Sequence, residues 1–265
     1  MSIAALPAAL AVMSGGAIGL VLGLVGGGGS ILAVPLLVYV VGMSSPHVAI
    51  GTAAVAVALN AAVGLFGHAR QSTVKWNCAL VFAAAGVIGS ALGATAGKAM
   101  DGQRLLALFG FAMIAVGLSM LLGKGNGSDP SVRLTRVSAP YLLPWLLSTG
   151  LGVGLLSGFF GIGGGFLIVP ALMLATSMPI TNAVSSSLVA VTAFGLTTAA
   201  SYAASGLVDW NIVGLLVGGG IAGSFAAGRL SRRVATRKNL LTRIFAVGVV
   251  VVGAIVASRG WNAGA

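Results

Sequence analysis

Apolar runs interrupted at glycine, proline and charged residues divide this chain into ten segments, five in each half. The first five run over Leu6–Val25, Ile31–Val41, Val48–Gly67, Asn77–Gly97 and Leu105–Leu122. The second five run over Leu142–Phe160, Phe166–Thr176, Asn182–Ala204, Asn211–Gly228 and Leu240–Ala257. A helix needs about 20 apolar residues to cross a bilayer, and most of the segments approach that length. The second segment of each half is only 11 residues long. It is therefore read either as the returning arm of a re-entrant hairpin or as a tilted crossing through locally thinned bilayer.

The repetition extends to residue identity. GLVLGLVGGGGSILAVP, from Gly19 to Pro35, returns as GLLSGFFGIGGGFLIVP, from Gly154 to Pro170, with nine identities at a constant offset of 135. Trp76 and Asn77 align with Trp210 and Asn211, and Gly86, Gly89 and Ser90 with Gly220, Gly223 and Ser224, at an offset of 134. The tryptophans suit anchors at the membrane–water interface, and small residues three and four apart suit close helix packing. The fold class expected is an all-α integral membrane protein of two inverted repeats with glycine-rich broken or re-entrant helices. Its parts are residues 1–123, a cytoplasmic linker 124–140 and a second repeat 141–265.

Composition agrees with that division. With 58% hydrophobic and 6% charged residues, the chain lacks the polar residues to cover a soluble core. The net charge of +11 belongs to short connections, where it suits lipid headgroups and topology and leaves no folded basic domain for a nucleic acid. The N-terminal apolar run has no basic stretch before it and has a counterpart in mid-chain, so it is read as mature structure. Cys78 is the only cysteine, which excludes an intrachain disulfide and a cysteine-built metal cluster.

Charge also orients the chain. If the first two segments of each half go out and back, the loops on one side sum to +10 and those on the other to +1; a single broken span would divide them +4 against +7. The positive-inside rule prefers the first arrangement, with both termini outside and the second repeat inverted. The expected location is the cell inner (plasma) membrane, multi-pass.

Chemistry is sparse. All three acids, Asp101, Asp129 and Asp209, lie in connections, so no carboxylate is available inside a segment for a proton relay or a sodium site. His47 and His68 stand at segment ends without repeat partners, which favours a loop or interfacial role over proton coupling. No Ser/His/Asp set or His/Cys cluster appears, so no enzyme activity, no metal and no cofactor is expected. The glycine runs lack the Gly-Lys-Ser/Thr ending of a phosphate loop.

What remains is the glycine runs and a few hydroxyls. Helices that begin after a glycine break turn free N–H groups and a positive dipole end toward it, a geometry suited to an anion. Gly27, Gly28, Gly29 and Ser30 in the first half, and Gly163, Gly164 and Gly165 in the second, are the candidate backbone donors. Thr52, Ser185 and Ser186 follow the start of the third segment of each half and are candidate hydroxyl donors, the alternative being a bond to their own helix backbone. Asn60 is an amide well inside its apolar run.

At the duplicated motif G-x-x-x-G-x-x-G-x-G-G-(G/S)-x-x-x-x-P the chain resembles the sulfite exporter TauE/SafE family of membrane permeases, and the resemblance spans both halves. The resemblance implies transport of a sulfur-containing anion such as sulfite or a sulfonate, or of another small organic acid. Ser30 departs from Gly165 at the matched position. The expected function is export of such an anion by alternating access; a passive anion channel is the alternative. An anion leaving a negative-inside cell gains about 2.3 kcal/mol per charge per 100 mV, so export needs no coupling ion. The partners expected are the small anionic substrate and the lipid bilayer, with no nucleic acid; a homo-oligomer is left open.

Overall fold

A computed structural model describes residues 5–69, 73–122, 139–161, 165–234 and 238–264, all of them helices and short connections. The helices are α1 (Ala5–Val25), α2 (a continuous helical run over 26–40), α3 (Pro46–Ala69), α4 (Trp76–Ala99) and α5 (Gly102–Leu122) in the first half. The second half contains α6 (Ala139–Phe160), α7 (Gly165–Thr176), α8 (Ile180–Ala204), α9 (Trp210–Val234) and α10 (Lys238–Gly264). Seven of them (α1, α3, α4, α5, α6, α8 and α9) are long and apolar enough to cross a bilayer. Helix α6 opens at Ala139, two residues inside the stretch read as linker, because Pro140 fits a first helical turn whose N–H groups have no partner. Two of the three acids are helix caps: Asp101 Oδ1 accepts from the N–H groups of Gln103 and Arg104, and Asp209 Oδ1 from those of Asn211 and Ile212.

Glycine faces decide how the helices pair. Gly15, Gly19 and Gly23 of α1 lie against Leu216, Gly220 and Ala227 of α9, in rising register, so the two run parallel. Gly150, Gly154 and Gly158 of α6 meet Phe82, Gly86 and Ser90 of α4 in the same way. Each of these glycines leaves no room for a Cβ, and the backbones touch. Equivalent helices of the two halves run antiparallel where they meet. In the α3–α8 pair Gly51 faces Tyr202 and Gly64 faces Leu188, and in the α5–α10 pair Gly110 faces Ala257 and Gly117 faces Val250. Across the bundle the order is α1, α9, α3, α8, α4, α6. Exchanging the halves leaves that order of contacts intact.

The connections gather at two faces. At one, Asp209 bonds Thr52, Lys98 bonds Ser205, Gly102 lies against Pro46 and the Arg259 guanidinium stands 5.3 Å from the centre of the Tyr39 ring. These are the loops of low net charge. At the other, Lys75 bonds Ser186.

The halves differ in winding at the glycine motif. The first run, expected from its sequence to be a break before Ile31, is a 3₁₀ helix over Gly26–Leu32, followed by one α turn, Ala33–Pro35, and a π turn, Leu36–Val40, in which the Val41 N–H donates to Leu36 O. Glycine permits this tight winding, and Pro35, which has no N–H, stands where the winding widens. In the second half α6 stops at Gly161, whose φ of +67° only glycine adopts readily, and α7 is regular α-helix around Pro170. Gly42 and its counterpart Ser177 both end the short helix with positive φ, 82° and 56°.

Candidate functional site

The site begins where α1 hands over to α2. A Cβ on Gly29 would stand 2.5 Å from the Leu22 nitrogen and 2.9 Å from Ile18 O, so α2 turns straight back along α1. The pair is a hairpin, and a single broken span is excluded. Helix α7 packs along α6 in the same manner, and the first turns of α2 meet α7 between the halves. Gly27, Gly28 and Ser30 lie in the 3₁₀ winding, where Ser30 is fully buried, and Gly165 is buried at the start of α7. Gly163 and Gly164 fall outside the described residues. The described motif glycines thus divide by position: Gly19, Gly23, Gly154 and Gly158 pack helices, and Gly26, Gly28, Gly29 and Gly161 lie at the turns.

The three candidate hydroxyls are not gathered at that turn. Thr52 Oγ1 accepts from the Asp209 N–H at 3.0 Å, and Ser186 Oγ accepts from the Lys75 N–H at 2.9 Å. These two bonds are counterparts, each tying the third helix of one half to the loop before the Trp-Asn pair of the other. Because α3 and α8 are antiparallel, Thr52 and Ser186 sit at opposite ends of that pair, about 20 Å apart at 1.5 Å per residue. Ser185 Oγ donates to Thr181 O at 3.0 Å and accepts from Thr73 Oγ1 at 2.8 Å, while Asn182 Nδ2 donates to Thr73 O. Thr192 and Ser187 bond their own helix, to Leu188 O and Val184 O.

Among the described residues, several buried polar atoms have no partner: His47 Nδ1, Asn60 Oδ1, Ser157 Oγ, Thr198 Oγ1 and Tyr202 Oη. His47 sits in the first turn of α3, whereas Asn60 is near the middle of that helix. Ser157, Thr198 and Tyr202 escaped the sequence reading. Their signal was mismatch between repeats, since Ser157 answers to Leu22, Thr198 to Gly64 and Tyr202 to His68 at the repeat offsets. Lys98 Nζ donates to Ser201 O and Ser205 Oγ, both at 2.9 Å, and so caps the end of α8. Among the described residues no group of three or more His, Cys, Asp or Glu is placed to hold a metal ion. The arrangement offers neutral donors and acceptors inside an apolar bundle, which suits passage of a small polar solute.

Comparison with known proteins agrees. The family described as Sulfite exporter TauE/SafE matches residues 11–256. The chain is 48% identical over 248 residues to a probable membrane transporter protein of Xylella fastidiosa strain Temecula1, covering 94% of each chain. It is 28% identical over 247 residues to the probable membrane transporter protein YunE of Bacillus subtilis, covering 87% of this chain and 90% of that one. No solved structure matches. A duplicated helical bundle, paired glycine hairpins and a match along almost its whole length make this chain a member of the TauE/SafE family of membrane transporters.

Proposed function

We propose that this chain exports a small sulfur-containing anion, sulfite or an organosulfonate, across the inner membrane by alternating access. The observation that carries the reading is the meeting of the two glycine-headed segments, α2 and α7, between halves whose equivalent helices run antiparallel. That geometry supports an inverted duplication with the substrate held between the repeats. Gly27, Gly28, Gly29 and Ser30, together with Gly163, Gly164 and Gly165, supply N–H groups to the anion. The Thr52 and Ser186 oxygens accept from backbone, which leaves each hydroxyl its own proton to donate. They serve the anion in turn at the two openings. Ser185, whose proton is already given to Thr181 O, holds the Thr73 loop.

The loops that carry +10 face the cytoplasm and both termini lie outside, by the positive-inside rule. The test is counterflow. Purified protein in liposomes preloaded with unlabelled sulfite should accelerate entry of labelled sulfite several-fold over empty liposomes. Equal rates with and without preloading mark a passive channel, and acceleration by small carboxylates alone replaces the sulfur headgroup with another organic acid.

A further inference from the structure

We infer that two hydroxyls of the second repeat, Ser157 on α6 and Thr198 on α8, donate hydrogen bonds to the substrate. The inference rests on the export reading above and deepens it by naming further side-chain contacts. Ser157 is 1% exposed and Thr198 is 0% exposed, and neither hydroxyl has a partner. A serine or threonine in a helix has the carbonyl three or four residues back within reach. Thr192 and Thr197 of α8 use it, at 2.7 and 2.8 Å, whereas Thr198 on the same helix does not. Inside an apolar bundle a hydroxyl that leaves that acceptor unused is costly, which makes its presence a mark of binding.

The two hydroxyls lie at one depth. Gly161, which ends α6, lies against Ile50 of α3, and Gly51, the next residue of α3, lies against Tyr202 of α8. Helices α6 and α8 touch, and both run parallel to α4: Gly150 and Gly158 meet Phe82 and Ser90, and Ser186 and Ser205 bond Lys75 and Lys98. Ser157 precedes Gly161 by one turn and Thr198 precedes Tyr202 by one turn, so both stand about 6 Å further into the bundle. Ser157 also belongs to the glycine hairpin. In the first half Gly29 of α2 rests on Leu22 of α1, and at the offset of 135 the place of Leu22 is taken by Ser157.

The first repeat shows what these places require for packing alone. It carries Leu22 and Gly64 there, one apolar side chain and no side chain at all. The fold therefore does not demand a hydroxyl at either. A hydroxyl whose proton is uncommitted can donate to an oxyanion without fixing a charge in the membrane, so the anion is held and still released. Sulfite, sulfonates and carboxylates all present such oxygens, and any of them satisfies these donors.

Ser157→Ala and Thr198→Val each remove one hydroxyl with little change of shape. In liposomes each should raise the KM for labelled sulfite at least about tenfold, the worth of a hydrogen bond to a charged group. Without substrate their thermal midpoints in detergent should equal or exceed wild type, because no bond is lost, and the rise in midpoint on adding sulfite should shrink. Thr198→Ser keeps the hydroxyl and should keep the wild-type KM. An unchanged KM in either Ser157→Ala or Thr198→Val overturns the inference and leaves the export reading standing. So does a Thr198→Ser variant as impaired as Thr198→Val, since shape and not the hydroxyl then matters. If the wild-type chain moves ethanesulfonate or propionate in place of sulfite, the same rise in KM for that anion keeps the inference and replaces the substrate. Failure of the wild-type chain to move any of the three overturns both readings.

Discussion

The Thr52 hydroxyl accepts a hydrogen bond from the Asp209 N–H, 157 residues away, at 3.0 Å. Its counterpart joins Ser186 to Lys75 at 2.9 Å, so each half fastens the loop of the other. Thr52→Val and Ser186→Ala should each lower stability by about 1 kcal/mol, the usual net worth of one such bond. Lying about 20 Å apart, the two losses should add in the double variant, read as shifts in thermal midpoint in detergent. A double variant no less stable than either single one would mean that the two bonds act as one unit.

The glycines of α2 should separate into two kinds. Gly28→Val places a side chain where backbone is proposed to meet the anion; folded protein should reach the membrane and transport should be lost, and Gly163→Val should behave alike. Gly29→Ala drives a methyl into Leu22 and Ile18 of α1 and should reduce the yield of folded protein. Unchanged substrate affinity in both valine variants would remove the glycine segments from the site.

Much of this was legible in the chain. Ten segments, the hairpin and the small-residue faces at Gly86 and Gly220 follow from hydropathy, parity and repeat spacing, because a bilayer imposes helices and helices in lipid meet through small residues. The winding of α2 was not legible. A run of four glycines permits 3₁₀, α or open backbone at little difference in energy, and packing against α1 and α7 decides among them. Nor was the role of the matched hydroxyls. Thr52 stood out together with Ser185 and Ser186, but the partners Asp209 of Thr52 and Lys75 of Ser186 appear only once α3 is known to lie beside α9, and α8 beside α4. Asn60 was visible as an amide, whereas its lack of a partner required the neighbouring helix.

Orientation is open to direct labelling. With Cys78 replaced by Ala, single cysteines beside Arg133 and Arg237 should resist an impermeant thiol reagent in intact cells, and one beside Arg259 should react. Labelling of the first two from outside would reverse the chain in the membrane.

Charge should drive the cycle. In substrate-loaded liposomes an imposed potassium-diffusion potential, negative inside, should accelerate anion efflux, and a pH gradient of similar energy should do little. His47→Ala and His68→Ala should retain transport. Efflux indifferent to voltage but steep in the pH gradient would point to proton coupling through another group.

The parallel contact of α1 with α9 has a bearing on how the chain is made. Gly19 of α1 must wait for Gly220, about 200 residues later, and ribosomes adding about 5–20 residues per second take about 10–40 s to deliver it. Throughout that interval the flat glycine face of α1 stands against lipid or an insertion factor, and α4 waits likewise for α6. Neither half can complete its fold before the other has been synthesised. A nascent chain arrested after the first repeat should therefore remain degradable, although that repeat already contains every helix of its own.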